Sequence, residues 1–314
     1  MTSDDTLAPD RTFELKGAGD LSPTAYRWDP ADPPRAAVMV VHGMAEHALR
    51  YGRFARVLNR AGYVAYAFDL RGHGATGTRQ GLLGHFADES GWRRCVGDIS
   101  TLRAHISAEH PDVPLLLFAH SMGSLLGQDF LIHHGHSVSG VVLSGTGGGL
   151  GWILRLGEAM ARIERARVGP RATSALLDYF ALGDPCKDFR PCRTESDWLT
   201  RDPIEVDKYQ ADPLCGFSLT TQTWVDISCG LIGVERRQAQ AQVPKDLPVL
   251  LLSGAVDPVG RGGAGPRWVA TRYREAGLRD VELKLYPEAR HEVLNEVNRD
   301  EVHADIMAFY QRLL

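Results

Sequence analysis

Short apolar runs alternate with amphipathic stretches along most of this chain. Val38-Met39-Val40-Val41, Val64 to Phe68, Leu115 to Phe118, Val141-Val142-Leu143, Val249 to Leu252 and Val281 to Leu285 all have strand length. Strands buried on both faces read as apolar runs, so the pattern predicts a mostly parallel sheet covered on each side by helices. Between the first two runs, Phe54, Val57, Leu58 and Ala61 fall at i, i+3, i+4 and i+7, the spacing of one helix face, and Gly62 stands where that helix would stop. Val302, Ile306, Phe309 and Leu313 draw another such stripe and predict a final helix packed on the sheet. Phe13 to Trp28, ahead of the first parallel strand, is expected to form an antiparallel hairpin at the sheet edge.

The rhythm breaks once. From Gly147 to about Val243 a mostly helical segment punctuated by Pro and Gly replaces the alternation, and it is too long for an ordinary connection. This divides the chain into a core (1–146), an inserted cap (147–243) and the rest of the core (244–314). Within the cap, Asp202-Pro203 offers an N-cap with proline at the first helical position, and Asp212-Pro213 a second start or a turn. Trp152, Ile153, Leu154 and Leu156, then Phe217, Trp224 and Leu231, are bulky apolar residues with two readings. They pack as the cap's own core, or they line a greasy acyl tunnel or a lip that touches a membrane surface transiently.

Composition narrows the function classes. The 314 residues carry 35 basic and 39 acidic side chains, a formal charge of −4, which leaves no electrostatic footprint for nucleic acid. Cys95, Cys186, Cys192, Cys215 and Cys229 are an odd, scattered set without C-x-x-C spacing, as expected of reduced thiols and not of a disulfide framework or a zinc site. Met1-Thr2-Ser3-Asp4-Asp5 lacks the basic and apolar regions of a secretory signal, and no apolar run is long enough to span a bilayer. A soluble, cytoplasmic protein is expected.

The chemistry gathers at strand ends. Ala119-His120-Ser121-Met122-Gly123 directly follows Leu115 to Phe118, the layout of a nucleophilic serine on a sharp strand-to-helix turn, with small residues flanking the crossing. A serine hydroxyl is a weak nucleophile at neutral pH and needs a base that is itself oriented by a carboxylate. On an α/β sheet these partners follow later strands in the order acid, then histidine. Asp257 lies just past Val249 to Leu252, and His291 just past Val281 to Leu285. Each residue taken singly is a common loop or capping residue. Three residue types, each after its own strand and in the required order, predict a triad of Ser121, His291 and Asp257. The oxyanion of the intermediate needs donors as well. The backbone N–H of Met122 is one candidate, and that of Met44, in the loop His42 to His47, is the other.

Other titratable residues have plainer readings. His42, His47, His73, His85 and His120 show no ligand spacing along a strand or helix, and His133, His134 and His136 end an expected surface helix, so structural or solvated roles are expected for all. Asp69 could compete as the triad acid, but is expected to hydrogen-bond the Leu70-Arg71-Gly72-His73-Gly74 loop.

With these residues in place, the sequence resembles the monoacylglycerol lipase and lysophospholipase-like branch of the α/β-hydrolase superfamily. The resemblance runs over most of the chain. It rests on His42-Gly43-x-x-Glu46-His47 with Arg50-Tyr51, Asp69-x-Arg71-Gly72-His73-Gly74, His120-Ser121-Met122-Gly123-Ser124, Asp257-Pro258-Val259-Gly260 and Arg290-His291-Glu292-x-Leu294-Asn295-Glu296. In the cap, Asp202-Pro203 and Ala211-Asp212-Pro213-Leu214-Cys215-Gly216-Phe217 are similar to bacterial members. The resemblance implies an α/β-hydrolase fold, with a mostly parallel eight-stranded sheet and a helical cap over an apolar acyl channel. It also implies Ser121 as nucleophile, His291 as base, Asp257 as its acid, an oxyanion hole from Met44 and Met122, and no metal or organic cofactor. Ala119 stands where the branch has glycine, and Met44 where a small residue is common, which would narrow the alcohol side of the pocket. The expected activity is hydrolysis of monoacylglycerol-like or other lipophilic esters through an acyl-enzyme. A thioesterase, lactonase or acyltransferase with the same triad, and a non-catalytic binding module, are the alternatives. The oligomeric state stays open.

Overall fold

Every apolar run becomes a strand of one sheet. The structure, a computed structural model, describes residues 7–16 and 21–314, so the stretch Met1 to Asp5, read above for targeting, lies outside the described residues. The strands are β1 (Arg11–Glu14), β2 (Thr24–Trp28), β3 (Ala36–Val41), β4 (Tyr63–Phe68), β5 (Leu115–His120), β6 (Gly140–Ser144), β7 (Val249–Gly254) and β8 (Val281–Tyr286). Their spatial order is β1-β2-β4-β3-β5-β6-β7-β8. The β1–β2 and β2–β4 pairs are antiparallel and the rest parallel, so the two expected edge strands pair antiparallel, while residues 17–20 between them lie outside the described residues.

The period-2 geometry of strands sorts these runs into two cores. Met39, Val41, Phe68, Leu117, Ala119 and Leu251 point to one face, which packs on α3 (Gly91–Glu109), α4 (Met122–His134) and α10 (Ala264–Glu275). Val38, Val40, Ala67, Leu116, Phe118 and Leu250 point to the other, against α1 (Gly52–Arg60) and α11 (Arg299–Gln311). The helical stripes fall as read: Phe54 and Leu58 of α1 and Val302, Ile306 and Phe309 of α11 are buried. The expected surface helix ending in histidines is α4, and most of it is interior; its one exposed residue is His133, in the last turn. A short α2 (Gly74–Gln80) follows β4.

Between β6 and β7 the chain leaves the sheet through α5 (Trp152–Val168), α6 (Ala175–Leu182), α7 (Pro203–Ala211), α8 (Thr221–Val234) and α9 (Arg237–Gln240). Asp202 caps α7 through its side chain, which accepts from the Ile204 N–H at 3.0 Å, with Pro203 at the first helical position. Asp212 makes a turn instead of a second helix start: its carboxylate accepts from the Leu214 N–H at 2.8 Å. Register brings the strand ends level, because Val41 pairs with both Phe68 and Ala119. The loops after β3, β4, β5, β7 and β8 therefore open on one rim, under the inserted helices.

Candidate active site

Ser121 sits on that rim between β5 and α4, with φ +50° and ψ −123°, a backbone conformation that L side chains rarely adopt. The turn is held by its own amide, which donates to Ser144 O at 2.8 Å, and by Ser124 N–H, which donates back to Ser121 O at 2.8 Å. Gly123 makes the turn sterically feasible: a Cβ there would lie 2.2 Å from His42 O and 2.6 Å from Val41 O.

The structure brings Ser121, His291 and Asp257 together from three loops. His291 Nε2 lies 2.8 Å from Ser121 Oγ, and His291 Nδ1 lies 3.0 Å from Asp257 Oδ2. An ionised carboxylate only accepts, so Nδ1 carries the proton and Nε2 is free to accept from the serine O–H. Asp257 is fully buried, and its other oxygen accepts from the Val259 N–H at 2.9 Å. Burial alone would raise its pKa, but the adjacent imidazole and the backbone N–H groups of Gly260 and Val259 outweigh it and hold the carboxyl below its usual range. For His291 burial works toward the neutral ring; Asp257 opposes it, then Glu292 and Glu46, and the pKa ends above its ordinary value.

Met122 is the first residue of α4, so helix geometry leaves its N–H without an intrahelical acceptor. Met44 lies in the loop after β3, and its N–H donates to no acceptor among the described residues. Both side chains border the same cavity as Ser121.

Several residues around this centre were visible only as motif letters, or not at all. Arg50 is largely buried and joins two carboxylates: it donates to Glu46 at 2.7 Å and to both oxygens of Glu292 at 2.6 and 2.7 Å. This ties the loop after β3 to the loop carrying His291. Trp198, from the insertion, lies over the His291 ring with centroids 5.2 Å apart, and its carbonyl accepts from the His291 N–H at 3.4 Å. Nothing in the local pattern marked it, because the contact joins segments ninety-odd residues apart. Asp69 does more than hold its own loop: it accepts from the N–H groups of Ala48 and Ala75 and from Tyr26 O–H, at 2.8–2.9 Å. His42, His73 and His120 are buried, and burial pushes His120 down to about 3 and His73 to about 4. The fold groups His47 with Asp212 and Cys215, their ligand-type atoms all within 4.8 Å of one another. His47 Nε2 meets Asp212 Oδ2 at 2.8 Å, an insertion-to-core contact that a separation of 165 residues conceals in the sequence.

Two recesses meet at Met44. One, of about 300 Å³, runs from Ser121 under the insertion between Leu125, Leu154, Leu177, Phe180, Trp224 and Leu231. The other, more open and more polar, is bordered by Trp198, Tyr209, Phe217, Asp178 and Arg190. Leu154 and Trp224 are buried and also line the first recess, so core packing and tunnel lining are the same residues. Trp152, by contrast, is 72% exposed.

A serine, a histidine and a buried aspartate in hydrogen-bond sequence beside a greasy recess form an arrangement suited to acyl transfer. Residues 32–298 match the Hydrolase_4 family, described as serine aminopeptidase, S33. The chain belongs to the Hydrolase_4 family. This family member is similar to the monoacylglycerol lipase of Mycolicibacterium smegmatis, 31% identical over 296 residues, 93% of this chain and 94% of that protein. It is similar also to the human monoglyceride lipase, 25% identical over 289 residues, covering 91% of this chain and 86% of the relative. A crystal structure of a thermostable carboxyl esterase from Bacillus coagulans in complex with glycerol has the same fold, with TM-score 0.89 and 28% identity over 96% of this chain and 98% of that one. This Hydrolase_4 protein is thus an enzyme with the α/β-hydrolase fold, a serine hydrolase of the monoacylglycerol lipase and lysophospholipase-like branch. Among the described residues no helix is long and apolar enough to cross a membrane.

Proposed function

We propose that this hydrolase cleaves lipophilic carboxylic esters of the monoacylglycerol type through an acyl-enzyme on Ser121. The observation that carries the reading is the continuous hydrogen-bond chain Asp257–His291–Ser121, at 3.0 and 2.8 Å, at the floor of an apolar recess. In the proposed cycle Ser121 Oγ attacks the ester carbon while its proton passes to His291 Nε2. The N–H groups of Met44 and Met122 hold the developing oxyanion. His291 then returns the proton to the leaving alcohol, and water, activated by the same base, releases the fatty acid. Asp257 keeps the ring in its Nδ1–H tautomer and compensates the imidazolium.

Segment 147–243 serves in this reading as the cap. Its recess takes the acyl chain, and the polar recess beyond Met44 takes the alcohol. The five cysteines are free thiols, which supports a reducing, cytoplasmic setting. Exposed apolar residues on α5 and α6 support transient contact with a lipid surface.

The test is fatty-acid release from a chain-length series of monoacylglycerols by the wild type and by Ser121→Ala. We expect release with a clear chain-length optimum for the wild type and a loss of ~10⁴–10⁶-fold for the variant. Retained activity in Ser121→Ala would overturn the mechanism. A wild type whose Ser121 takes a fluorophosphonate label in a separate sample, yet which unlabelled releases no fatty acid from any member, would overturn the substrate class and point to a thioester or lactone.

A further inference from the structure

His42 directly follows β3, and its ring is fully buried beside the nucleophile loop. The Leu70 backbone N–H donates to its Nε2 at 2.9 Å. A nitrogen that accepts carries no proton, so the neutral ring is protonated on Nδ1. That Nδ1–H lies 2.7 Å from the carbonyl oxygen of Gly43 and donates to it. The ring is kept neutral by burial and by the neighbouring His73, which push its pKa well below the ordinary histidine value.

The bond has a consequence on the far side of the peptide. The one cis peptide among the described residues is Arg190–Pro191, so Gly43–Met44 is trans. In a planar trans peptide the C=O and N–H point in opposite directions. Fixing the Gly43 carbonyl on His42 therefore turns the Met44 N–H away from that ring. The preceding peptide, His42–Gly43, is anchored as well: Gly43 N–H donates to Glu46 Oε1 at 2.5 Å, and Tyr51 O–H donates to the same oxygen at 2.8 Å. The backbone runs past the nucleophile at contact distance, since a Cβ on Gly43 would lie 3.1 Å from Ser121 Cβ.

We infer that His42 is a positioning residue, whose Nδ1–H tautomer orients the Gly43–Met44 peptide so that the Met44 N–H faces the oxygen of the group under attack by Ser121. The inference rests on the nucleophile reading given under the proposed function and adds to it a side chain that touches no substrate. Because the donor is set before substrate arrives, no reorganisation is needed when charge develops.

The discriminating experiment compares His42→Asn with His42→Gln. The Asn amide nitrogen occupies the place of Nδ1 and can still donate to Gly43 O. The Gln amide reaches the place of Nε2, keeps the Leu70 contact and loses the Gly43 one. The readout is phosphonylation of Ser121 by a fluorophosphonate, in which Oγ displaces fluoride at phosphorus and its proton passes to His291. We expect His42→Asn to label near the wild-type rate and His42→Gln to label about 10²-fold more slowly, the cost of one oxyanion donor. A Gln variant that labels as fast as the Asn variant would overturn the role of His42 alone. A wild type that takes no label on Ser121 would overturn the nucleophile reading and this one with it. Long-range proton–nitrogen correlation on the unaltered protein is a second arm, independent of whether the variants fold. It should find the His42 proton on Nδ1, and a proton on Nε2 would overturn the inference.

Discussion

At the scale of single residues, the acid limb of activity is set by what faces His291. Ser121 and Asp257 bond its two nitrogens, His120 packs on it at 4.8 Å, Trp198 covers it, and Glu292 and Glu46 stand behind it with Arg50 between them. Burial opposes the imidazolium; Asp257, Glu292 and Glu46 together outweigh it, and the pKa lies above 6.5. In the proposed cycle His291 is the general base and must be neutral, so kcat/KM should fall as pH drops through a limb above the ordinary histidine value. Glu292→Gln removes a negative charge and leaves Arg50 less compensated, and both changes disfavour the imidazolium. The limb should therefore move to lower pH, while breaking the buried Arg50–Glu292 pair lowers stability by about 3–5 kcal/mol. A pH–rate profile whose acid limb stays put or rises in the variant would refute this account. Glu46, Arg50 and Glu292 all stand inside sequence motifs, yet the pairing of Arg50 with Glu292 spans 242 residues and only the fold reveals it.

At the scale of elements, the strand-to-helix turn answers a question that the sequence raised. Ala119 puts a methyl where the pattern has glycine, and the chain accommodates it one helical turn further on: the nearest side-chain atom to a Cβ at Gly127 would be Ala119 Cβ, at 3.2 Å. The two positions share one methyl's worth of space. Gly127→Ala in α4 should gain about 1 kcal/mol of helix propensity when made on an Ala119→Gly background, and visibly less in the wild type. Denaturant unfolding of the four proteins measures the coupling, expected at about 0.5–1 kcal/mol; simple additivity would mean that the crossing has slack. The strands and both framing helices were legible because burial on two faces and a 3.6 period leave marks in the sequence. So was the order Ser, Asp, His. The inserted helices were legible only as an interruption with one capped start, at Asp202. Their packing on the core depends on contacts such as Trp198 over His291 and Tyr209 O–H donating to Ala45 O at 3.0 Å, which no local period encodes.

At the scale of the whole molecule, the distribution of apolar surface argues for how substrate arrives. Trp152, Leu156 and Ile163 lie along one side of α5, at 72%, 43% and 65% exposure, and Leu176 and Tyr179 extend the patch onto α6. Neighbours on the same two helices, Leu154, Leu177 and Phe180, line the recess that leads to Ser121. The exposed lip and the recess beside Ser121 are thus two faces of the same helices. Four arginines against two glutamates make α5 cationic overall, which favours an anionic lipid surface. Each large apolar side chain that enters the acyl boundary contributes about 1.5–3 kcal/mol, so two or three suffice for reversible adsorption without a spanning helix. Trp152→Glu combined with Ile163→Glu should weaken adsorption to phosphatidylglycerol vesicles by more than about tenfold and slow hydrolysis of vesicle-borne monoacylglycerol in proportion. Neither residue lines the recess, so kcat/KM on a short, water-soluble ester should stay at the wild-type level. Equal losses on both substrates would mean that the patch supports the fold of the inserted helices and not an approach to lipid. Unchanged vesicle binding would mean that substrate reaches the recess from solution.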